Sequence, residues 1–282
     1  MPDHQNIEFQ GSPRVAAGRL QGGRDSQQDA VACFYDPAED TRLLVLADGM
    51  GGDGAGEVAS DGVVAVARRL WEQRLWLQLP GAVFLESLCQ EAHEELHRRR
   101  LGLAGGEPHS TIVALLLRGD LACWVHVGDS RLYHFLGAQC MYRTRDHSLA
   151  ELRVQRGEIR PEQAARHADQ HKLLRGLGGP SAPEVEHGGT RLRVGQGFAL
   201  CSDGVWAQLS SAELGRYAAQ EDQEQALRDA LSLAAERGGE QGDNASLVLV
   251  RASAAGKLRR YTAALWARAI MMPATLRRRS TT

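Results

Sequence analysis

Short apolar runs, rich in Val, Leu and Ala, recur along the chain and are separated by polar stretches that contain Gly, Asp and Asn. Their length and composition predict strands that are buried on both faces. The runs cover residues 30–35, 42–47, 111–117, 121–127, 131–135, 198–201 and 245–250.

Neighbouring strands are joined by short turns more often than by helices. The runs 111–117 and 121–127 are separated only by residues 118–120, a connection that predicts an antiparallel hairpin. Helical spacing of apolar positions is found at about 55–75, 82–100 and 223–237. Because a doubly wound parallel sheet needs a helix between successive strands, this order disfavours it. We expect an α+β fold with two mostly antiparallel sheets flanked by helices.

The composition is that of an ordinary globular protein, with 43% hydrophobic and 24% charged residues among 282. Every apolar stretch is far shorter than the roughly 20 residues of a membrane-spanning helix. The amino terminus lacks the basic start and apolar core of a secretory signal. Five scattered cysteines without Cys-x-x-Cys spacing suggest neither a disulfide framework nor a zinc ribbon. We therefore expect a cytoplasmic protein.

The formal net charge of −2 is unevenly distributed. Residues 252–282 hold seven basic residues and no acidic one, which leaves −9 on the rest of the chain. An acidic body argues against nucleic acid as a partner. We predict one domain over residues 1–252 and a basic tail over 253–282. Apolar residues recur at helical spacing in the tail, so it is either an amphipathic helix that contacts an anionic membrane surface or an inert terminus.

Aspartates next to glycines stand at the ends of several apolar runs. Asp48 follows one run, Asp129 and Asp203 follow two others, and Asp243 precedes the last. If the strands are neighbours, the four carboxylates converge and would either take up protons or surround cations. Oxygen ligands without paired His or Cys favour Mg²⁺ or Mn²⁺. The alternative is that each Asp is only a turn residue beside a glycine.

Two such ions would favour attack by a metal-held hydroxide on phosphorus, and therefore hydrolysis of a phosphoester. Short motifs along residues 15–251 point the same way. They are Arg24–Asp29, Ala47–Gly52, Ser110–Thr111, Gly128–Arg131, Asp146–Ser148, Leu174–Gly178, Cys201–Gly204 and Asp243–Asn244. In this order they resemble the motifs of bacterial metal-dependent serine/threonine protein phosphatases of the 2C type.

The resemblance implies an α-β-β-α sandwich with a flap over about 152–186 and two or three Mn²⁺ or Mg²⁺ ions. It implies that Asp48 bridges two metals, that the Gly49 carbonyl binds one, and that Asp203 and Asp243 complete the other. Asp129 would help hold a third ion. Arg24 would grip the phosphate, because its planar fork meets two oxygens at once.

The first motif departs from the family. Gln27 and Gln28 stand where Asn and Glu are usual, and Met50 stands where animal relatives carry a histidine that can act as a general acid. Gln28 and Asp29 would support the waters around the metal rather than bind it directly, and the neutral Gln28 predicts a lower metal affinity there.

The resemblance also implies partners: phosphorylated proteins as substrates and a bacterial serine/threonine kinase that the enzyme opposes. We expect a monomer. Two other functions stay open at this point. One is a catalytically weak regulatory binding module of the same fold, and the other is a metal phosphodiesterase that acts on a nucleotide.

The chain contains a second possible metal-binding motif. His93 and His97 fit the His-Glu-x-x-His pattern of zinc proteases on one helical face. No third ligand is obvious, and we interpret this face as solvated helix surface. We assign His126 a structural role and His147 a structural or flap-positioning role.

Overall fold

The computed structural model describes residues 7–12, 14–103, 106–164 and 167–252. The predicted basic tail, 253–282, lies outside these ranges. The strands are β1 Glu8–Ser12, β2 Val15–Leu20, β3 Asp29–Asp36, β4 Thr41–Met50, β5 His109–Ser110, β6 Ile112–Arg118, β7 Leu121–Val127, β8 Arg131–Leu136, β9 Gln139–Arg143, β10 Glu186–Arg191, β11 Gln196–Cys201 and β12 Ala245–Arg251. The helices are α1 Ala55–Glu72, α2 Leu75–Gln78, α3 Gly81–Arg100, α4 Leu149–Gln155, α5 Pro161–Ala164, α6 Asp203–Trp206, α7 Ser211–Ala219 and α8 Gln223–Gly238.

Two antiparallel sheets form the centre of the described structure. One has the order β1-β2-β12-β11-β8-β9 and the other has the order β10-β7-β6-β4-β3, with β5 paired to the end of β4. The predicted hairpin is present as β6–β7, with Gly119 at a positive φ of 59° in its turn. Each predicted apolar run forms a strand within one or two residues of the expected bounds, except that β4 extends three residues beyond its predicted end.

The core has three layers of apolar contact. Side chains such as Val15, Leu44 and Phe198 pack between the two sheets. Helices α1 and α3 cover the outer face of the second sheet, and α7 and α8 cover the outer face of the first. The predicted α-β-β-α sandwich is therefore confirmed. Within the described ranges, no helix combines the length and apolarity needed to cross a bilayer, and the five cysteines are free thiols.

The strands β1, β2, β9 and β10 were not predicted. β9 is mostly exposed, β10 is partly exposed, and β10 contains Gly188 and Gly189. β1 and β2 are interrupted by Gly11 and Gly18. β1, β9 and β10 are edge strands, in which polar and charged residues are common, so the apolar pattern of a central strand is missing. Between residues 152 and 186 the described chain holds the end of α4, the short helix α5 and, from residue 167 to the start of β10, irregular structure.

Candidate active site

Asp48 lies at the end of β4, where neighbouring residues fix its backbone on both sides. Its N–H donates to Thr111 Oγ1 at 3.0 Å. Its carbonyl accepts from the Thr111 N–H at 2.8 Å and from Ser110 Oγ at 3.1 Å. The strand was predicted to end before Asp48, and β4 instead continues to Met50. These bonds leave the Asp48 carboxylate as the group that is free to bind a ligand.

Gly49 lies where two pieces of backbone approach each other. A Cβ on Gly49 would overlap the carbonyl of Gly56, at the start of α1. The Gly49 N–H donates to the Gln28 carbonyl at 3.0 Å. The Gln28 side chain packs against Gly56, where a Cβ would lie 2.7 Å from its Cδ. Only glycine fits position 49, and the Gln28 side chain fills the space beside Gly56.

Asp29 lies opposite Asp48 in the β3–β4 ladder and is almost fully buried. It accepts a hydrogen bond from Ser202 Oγ at 2.8 Å, and Ser202 Oγ in turn accepts from the Ser246 N–H at 3.0 Å. Burial raises the pKa of Asp29 to about 8. Asp29 is thus tied to β11 and β12 through Ser202, which agrees with a supporting role.

Asp203 and Asp243 come from adjacent strands. Asp203 starts α6 two residues after the end of β11, and Asp243 lies two residues before the start of β12. A Cβ on Gly204 would overlap the Asn244 carbonyl, so glycine lets these two segments touch. The Asn244 side chain donates to the carbonyls of Gln21 and Ser26, at 2.7 and 3.0 Å. The family motif contained Asn244, but its role in holding the loop that carries Arg24 was not predicted.

Arg24 lies at the rim of the carboxylate group. Its Nη2 donates to Asp243 Oδ2 at 2.6 Å, and its side chain is 58% exposed. This hydrogen bond, with the charges of Asp243, Asp203 and Asp48, raises the pKa of the Arg24 guanidinium. Arg24 is therefore bound to Asp243 through one nitrogen, while more than half of its side chain is exposed.

Asp129 lies in the turn between β7 and β8 and is only 5% exposed. Its carbonyl accepts from Trp206 Nε1 at 3.0 Å. The Trp206 ring in turn lies 3.5 Å from the Arg131 guanidinium, which pairs with Asp146 through two hydrogen bonds of 2.6 and 2.7 Å. Burial, and then the charge of Asp203, raise the pKa of Asp129 to about 7.

The carboxylates lie close enough to repel one another. Burial raises the pKa of Asp48 well above its usual range, and the charges of Asp29, Asp203, Asp129 and Asp243 raise it further. Such a group is stable in ionised form only beside positive charge. A cluster of carboxylate oxygens is the donor set of Mg²⁺ and Mn²⁺, so the residues present fit a divalent cation site.

One flap residue reaches this cluster, and the sequence did not point to it. His171 Nδ1 lies 3.4 Å from Asp203 Oδ2. Its interaction with Asp203, and then the charges of Asp129 and Asp243, raise the pKa of His171. The segment around it has no periodic pattern, so its approach to α6 could be seen only in three dimensions.

A second titratable cluster lies at the base of the flap. Potential ligand atoms of His126, His147 and Glu186 lie within 4.8 Å of one another. His147 Nδ1 accepts from the Gly128 N–H at 3.1 Å, so its Nε2 carries the proton that faces Glu186 Oε2 at 3.2 Å. A metal would need that nitrogen without its proton. The arrangement instead fits a positioning role for His147, whose carbonyl accepts from the Leu174 N–H in the flap.

His93 and His97 do not form a solvated surface as predicted. His93 is buried, and its Nδ1 accepts from the Gly178 N–H at 3.1 Å. His97 Nε2 lies 3.0 Å from the Gly179 carbonyl. The pair joins α3 to the chain around Gly178, because the turn there packs directly on the helix. This contact could not be inferred from helical spacing alone.

Comparison with known proteins assigns the chain to a family. The sequence profile of the family described as Protein phosphatase 2C matches residues 21–248. The serine/threonine protein phosphatase PstP of Mycobacterium tuberculosis is 35% identical over 170 residues, which cover 58% of this chain and 32% of PstP. The match thus spans about a third of the length of this curated relative.

Solved structures are similar over most of the described fold. A crystal structure of PstP from Mycobacterium tuberculosis aligns with a TM-score of 0.73 and 28% identity, covering 84% of this chain and 97% of that one. A structure of the PstP catalytic domain in complex with two manganese ions aligns with a TM-score of 0.69 and 28% identity, covering 84% of this chain and 96% of the other.

Proposed function

The chain belongs to the protein phosphatase 2C family, and on that premise we propose that it hydrolyses phosphoserine and phosphothreonine esters on proteins with Mn²⁺ or Mg²⁺ as cofactor. One observation carries the proposal. Carboxylates from separate segments of the chain form a single electrostatic cluster, and Arg24 borders it. The related PstP catalytic domain binds two manganese ions, which supports the same cofactor here.

The residues that would hold the ions are Asp48, Asp203 and Asp243, with the Gly49 carbonyl and, for a third ion, Asp129. Bound divalent cations supply an acidified water and offset charge on a phosphoryl group. The contribution of the chain is to hold these oxygens in place. Hydrogen bonds from Thr111 and Ser110 fix the backbone of Asp48, and the contact of Gly204 with Asn244 keeps Asp203 beside Asp243.

Arg24 would bind the phosphate of the substrate. Its guanidinium has five N–H donors, of which the described contact with Asp243 uses one. The Arg24 side chain is 58% exposed, so at the edge of the cluster its guanidinium can donate two parallel hydrogen bonds to a phosphoryl group. Positive charge there also offsets the negative charge on the transferring oxygens.

Asp29 and Gln28 would support the metal ligands without binding the metal themselves. Asp29 is buried against Ser202, and this contact links β3 in one sheet to the end of β11 in the other. Gln28 supports Gly49 in two ways: its carbonyl accepts from the Gly49 N–H, and its side chain packs on Gly56. Neither residue needs to touch a metal for this role.

The domain assignment belongs to the same proposal: a catalytic domain over residues 1–252 in which the flap, about 152–186, governs access of the substrate. The implied partners are phosphorylated proteins and the serine/threonine kinase that modifies them, because a protein phosphoester has to be made by a kinase. Cytoplasmic location, the monomeric state, the absence of nucleic acid partners and membrane contact by the tail remain predictions from the sequence.

Hydrolysis of a phosphothreonine peptide, measured with and without Mn²⁺ and beside a phosphodiester control, tests the proposal. We expect Mn²⁺-dependent release of phosphate from the peptide alone. Asp203→Ala is expected to abolish turnover while its circular dichroism stays that of the wild type. Asp120→Ala, which changes an exposed carboxylate in the β6–β7 turn, is the matched control and keeps full turnover.

Three results would contradict the proposal. Turnover of the phosphodiester in preference to the peptide indicates the nucleotide phosphodiesterase. Absence of any turnover, with Mn²⁺ bound, indicates a regulatory binding module. Unchanged turnover in Asp203→Ala refutes the ligand assignment.

A further inference from the structure

His171 is held over the carboxylate cluster by the chain on both sides of it. Asp169, which is buried, accepts from Lys172 Nζ at 2.8 Å and pairs with Arg153 of α4 at 2.9 Å. The Lys172 carbonyl accepts from the Leu149 N–H at 2.8 Å. These contacts fasten the flap turn to α4, so the position of His171 is defined although its side chain is 63% exposed.

His171 Nδ1 and Asp203 Oδ2 lie at a distance that one cation could bridge. The distance is 3.4 Å, within the 3.2–3.8 Å range of the other histidine–carboxylate pairs in the described residues. Two adjacent ligands on one octahedral ion, each bound at about 2.1 Å, lie roughly 3 Å apart. The two atoms therefore need to approach by only about 0.4 Å to become neighbouring ligands of one ion.

We propose that His171 is a nitrogen ligand, through Nδ1, to the divalent cation that Asp203 holds, so that the flap contributes directly to the metal site. The inference rests on the proposed function, since it needs the carboxylates to bind an ion. The charges of Asp129 and Asp243 also act on His171. An imidazole ligand favours transition-metal ions over Mg²⁺.

Gln170 is placed to orient the ring. A histidine bound to metal through one nitrogen donates its other N–H to a nearby acceptor. His171 Nε2 lies 2.9 Å from the Gln170 amide nitrogen, and the buried Gln170 Oε1 has no partner among the described residues. Because the two ends of a side-chain amide are assigned from their surroundings, a half-turn of this amide presents Oε1 to the His171 Nε2–H. Gln170 then serves as the acceptor that keeps the Nδ1 lone pair toward the cluster.

Pulsed electron paramagnetic resonance of bound Mn²⁺ tests the proposal, because a directly coordinated histidine produces ¹⁴N modulation. The full chain is loaded with Mn²⁺ and compared with His171→Asn and with His167→Asn. His167 lies in the same flap turn but contacts Asp169 rather than Asp203, so it is the matched control. We expect the modulation in the wild type and in His167→Asn and its loss in His171→Asn.

Two further measurements separate direct coordination from an indirect effect of the substitution. Wild-type protein labelled with ¹⁵N-histidine requires no substitution, and its modulation should change to the ¹⁵N pattern. Titration calorimetry should show Mn²⁺ affinity roughly tenfold weaker in His171→Asn, with Mg²⁺ affinity nearly unchanged.

Failure of this inference can be distinguished from failure of the proposed function. Mn²⁺ that binds without histidine modulation, or modulation that persists in His171→Asn, overturns this inference and leaves the proposed function standing. Wild-type protein that binds no Mn²⁺ overturns both.

Discussion

The Arg131 guanidinium is almost completely buried and depends on a single carboxylate. The side chains of Arg131 and Asp146 are 8% and 9% exposed, and they form a bidentate pair. Trp206 covers the guanidinium and donates to the Asp129 carbonyl. A buried charge without its partner is far more costly than an exposed one. This pair therefore stabilises both the chain at Asp146, which leads into the flap, and the turn that carries Asp129.

Asp146→Ala should lower the free energy of unfolding by about 3–5 kcal/mol, because it leaves Arg131 buried without a counter-charge. Urea denaturation measures the change. Asp120→Ala breaks the ion pair with Arg191, in which both side chains are more than half exposed, and should change stability by less than about 0.5 kcal/mol. Similar losses in the two variants would contradict the buried-pair account.

His126 gives stability a defined pH dependence. Burial, and then the neighbouring His147, lower the pKa of His126 from 6.5 to about 4. Between these values the unfolded chain binds a proton that the folded protein does not, so stability falls as pH falls from 6.5 towards 4. From pH 7 to pH 5 this amounts to about 2 kcal/mol.

His126→Asn should remove that part of the pH dependence. Urea unfolding of wild type and variant at pH 7 and pH 5, both in EDTA, isolates it because the remaining titratable groups are common to the two proteins. Equal pH dependence in both proteins would show that His126 binds its proton equally in the folded and unfolded states.

At the level of elements, one side of the site is built where β11 ends beside the start of β12. The close approach of Gly204 to the Asn244 carbonyl sets the separation between α6 and the start of β12. The same junction carries Asp203 on one side and Asp243 on the other. A small change in backbone separation here is therefore expected to alter both stability and the proposed metal binding.

Gly204→Ala should destabilise the protein by more than about 1 kcal/mol and weaken Mn²⁺ binding, because the added Cβ overlaps the Asn244 carbonyl. Gly238→Ala is the control, since a Cβ at Gly238, in the last turn of α8, meets no atom within 4 Å. Thermal melts and calorimetry measure the two effects. A Gly204→Ala protein with wild-type stability and metal affinity would contradict the close approach.

Elements with strong apolar patterns were predictable, and elements defined by long-range partners were not. The runs of β4, β6, β7 and β12 were evident because both of their faces are buried. The edge strand β10 was not, because its residues are mostly polar or glycine. The aspartates could be proposed from their positions at strand ends. The bond between Arg24 and Asp243 joins residues 219 apart, and no local pattern contains it.

At the scale of the whole molecule, the carboxylate cluster links metal binding to folding. The fold gathers Asp48, Asp129 and Asp203 into one cluster, and their mutual repulsion opposes folding. A cation bound only by the folded state offsets this repulsion. The protein is thus expected to be stabilised by its own cofactor.

Mn²⁺ at one hundred times its dissociation constant should raise the free energy of unfolding by about 2.7 kcal/mol, and EDTA should reverse the gain. Asp48→Asn removes one repelling charge, so this variant should be at least as stable as wild type in EDTA but gain little from Mn²⁺. Urea titrations with and without the ion measure both. A wild type that Mn²⁺ does not stabilise would contradict the linkage.

The position of β12 has a consequence for biosynthesis. It is the last described strand along the chain, yet it lies inside its sheet, between β2 and β11. The ribosome therefore delivers every other described strand before the one that joins the two halves of that sheet, and Asp243 arrives just ahead of it. A polypeptide that terminates before residue 243 lacks both Asp243 and β12, which joins the two parts of the sheet, so we expect it neither to complete this sheet nor to form the proposed metal site.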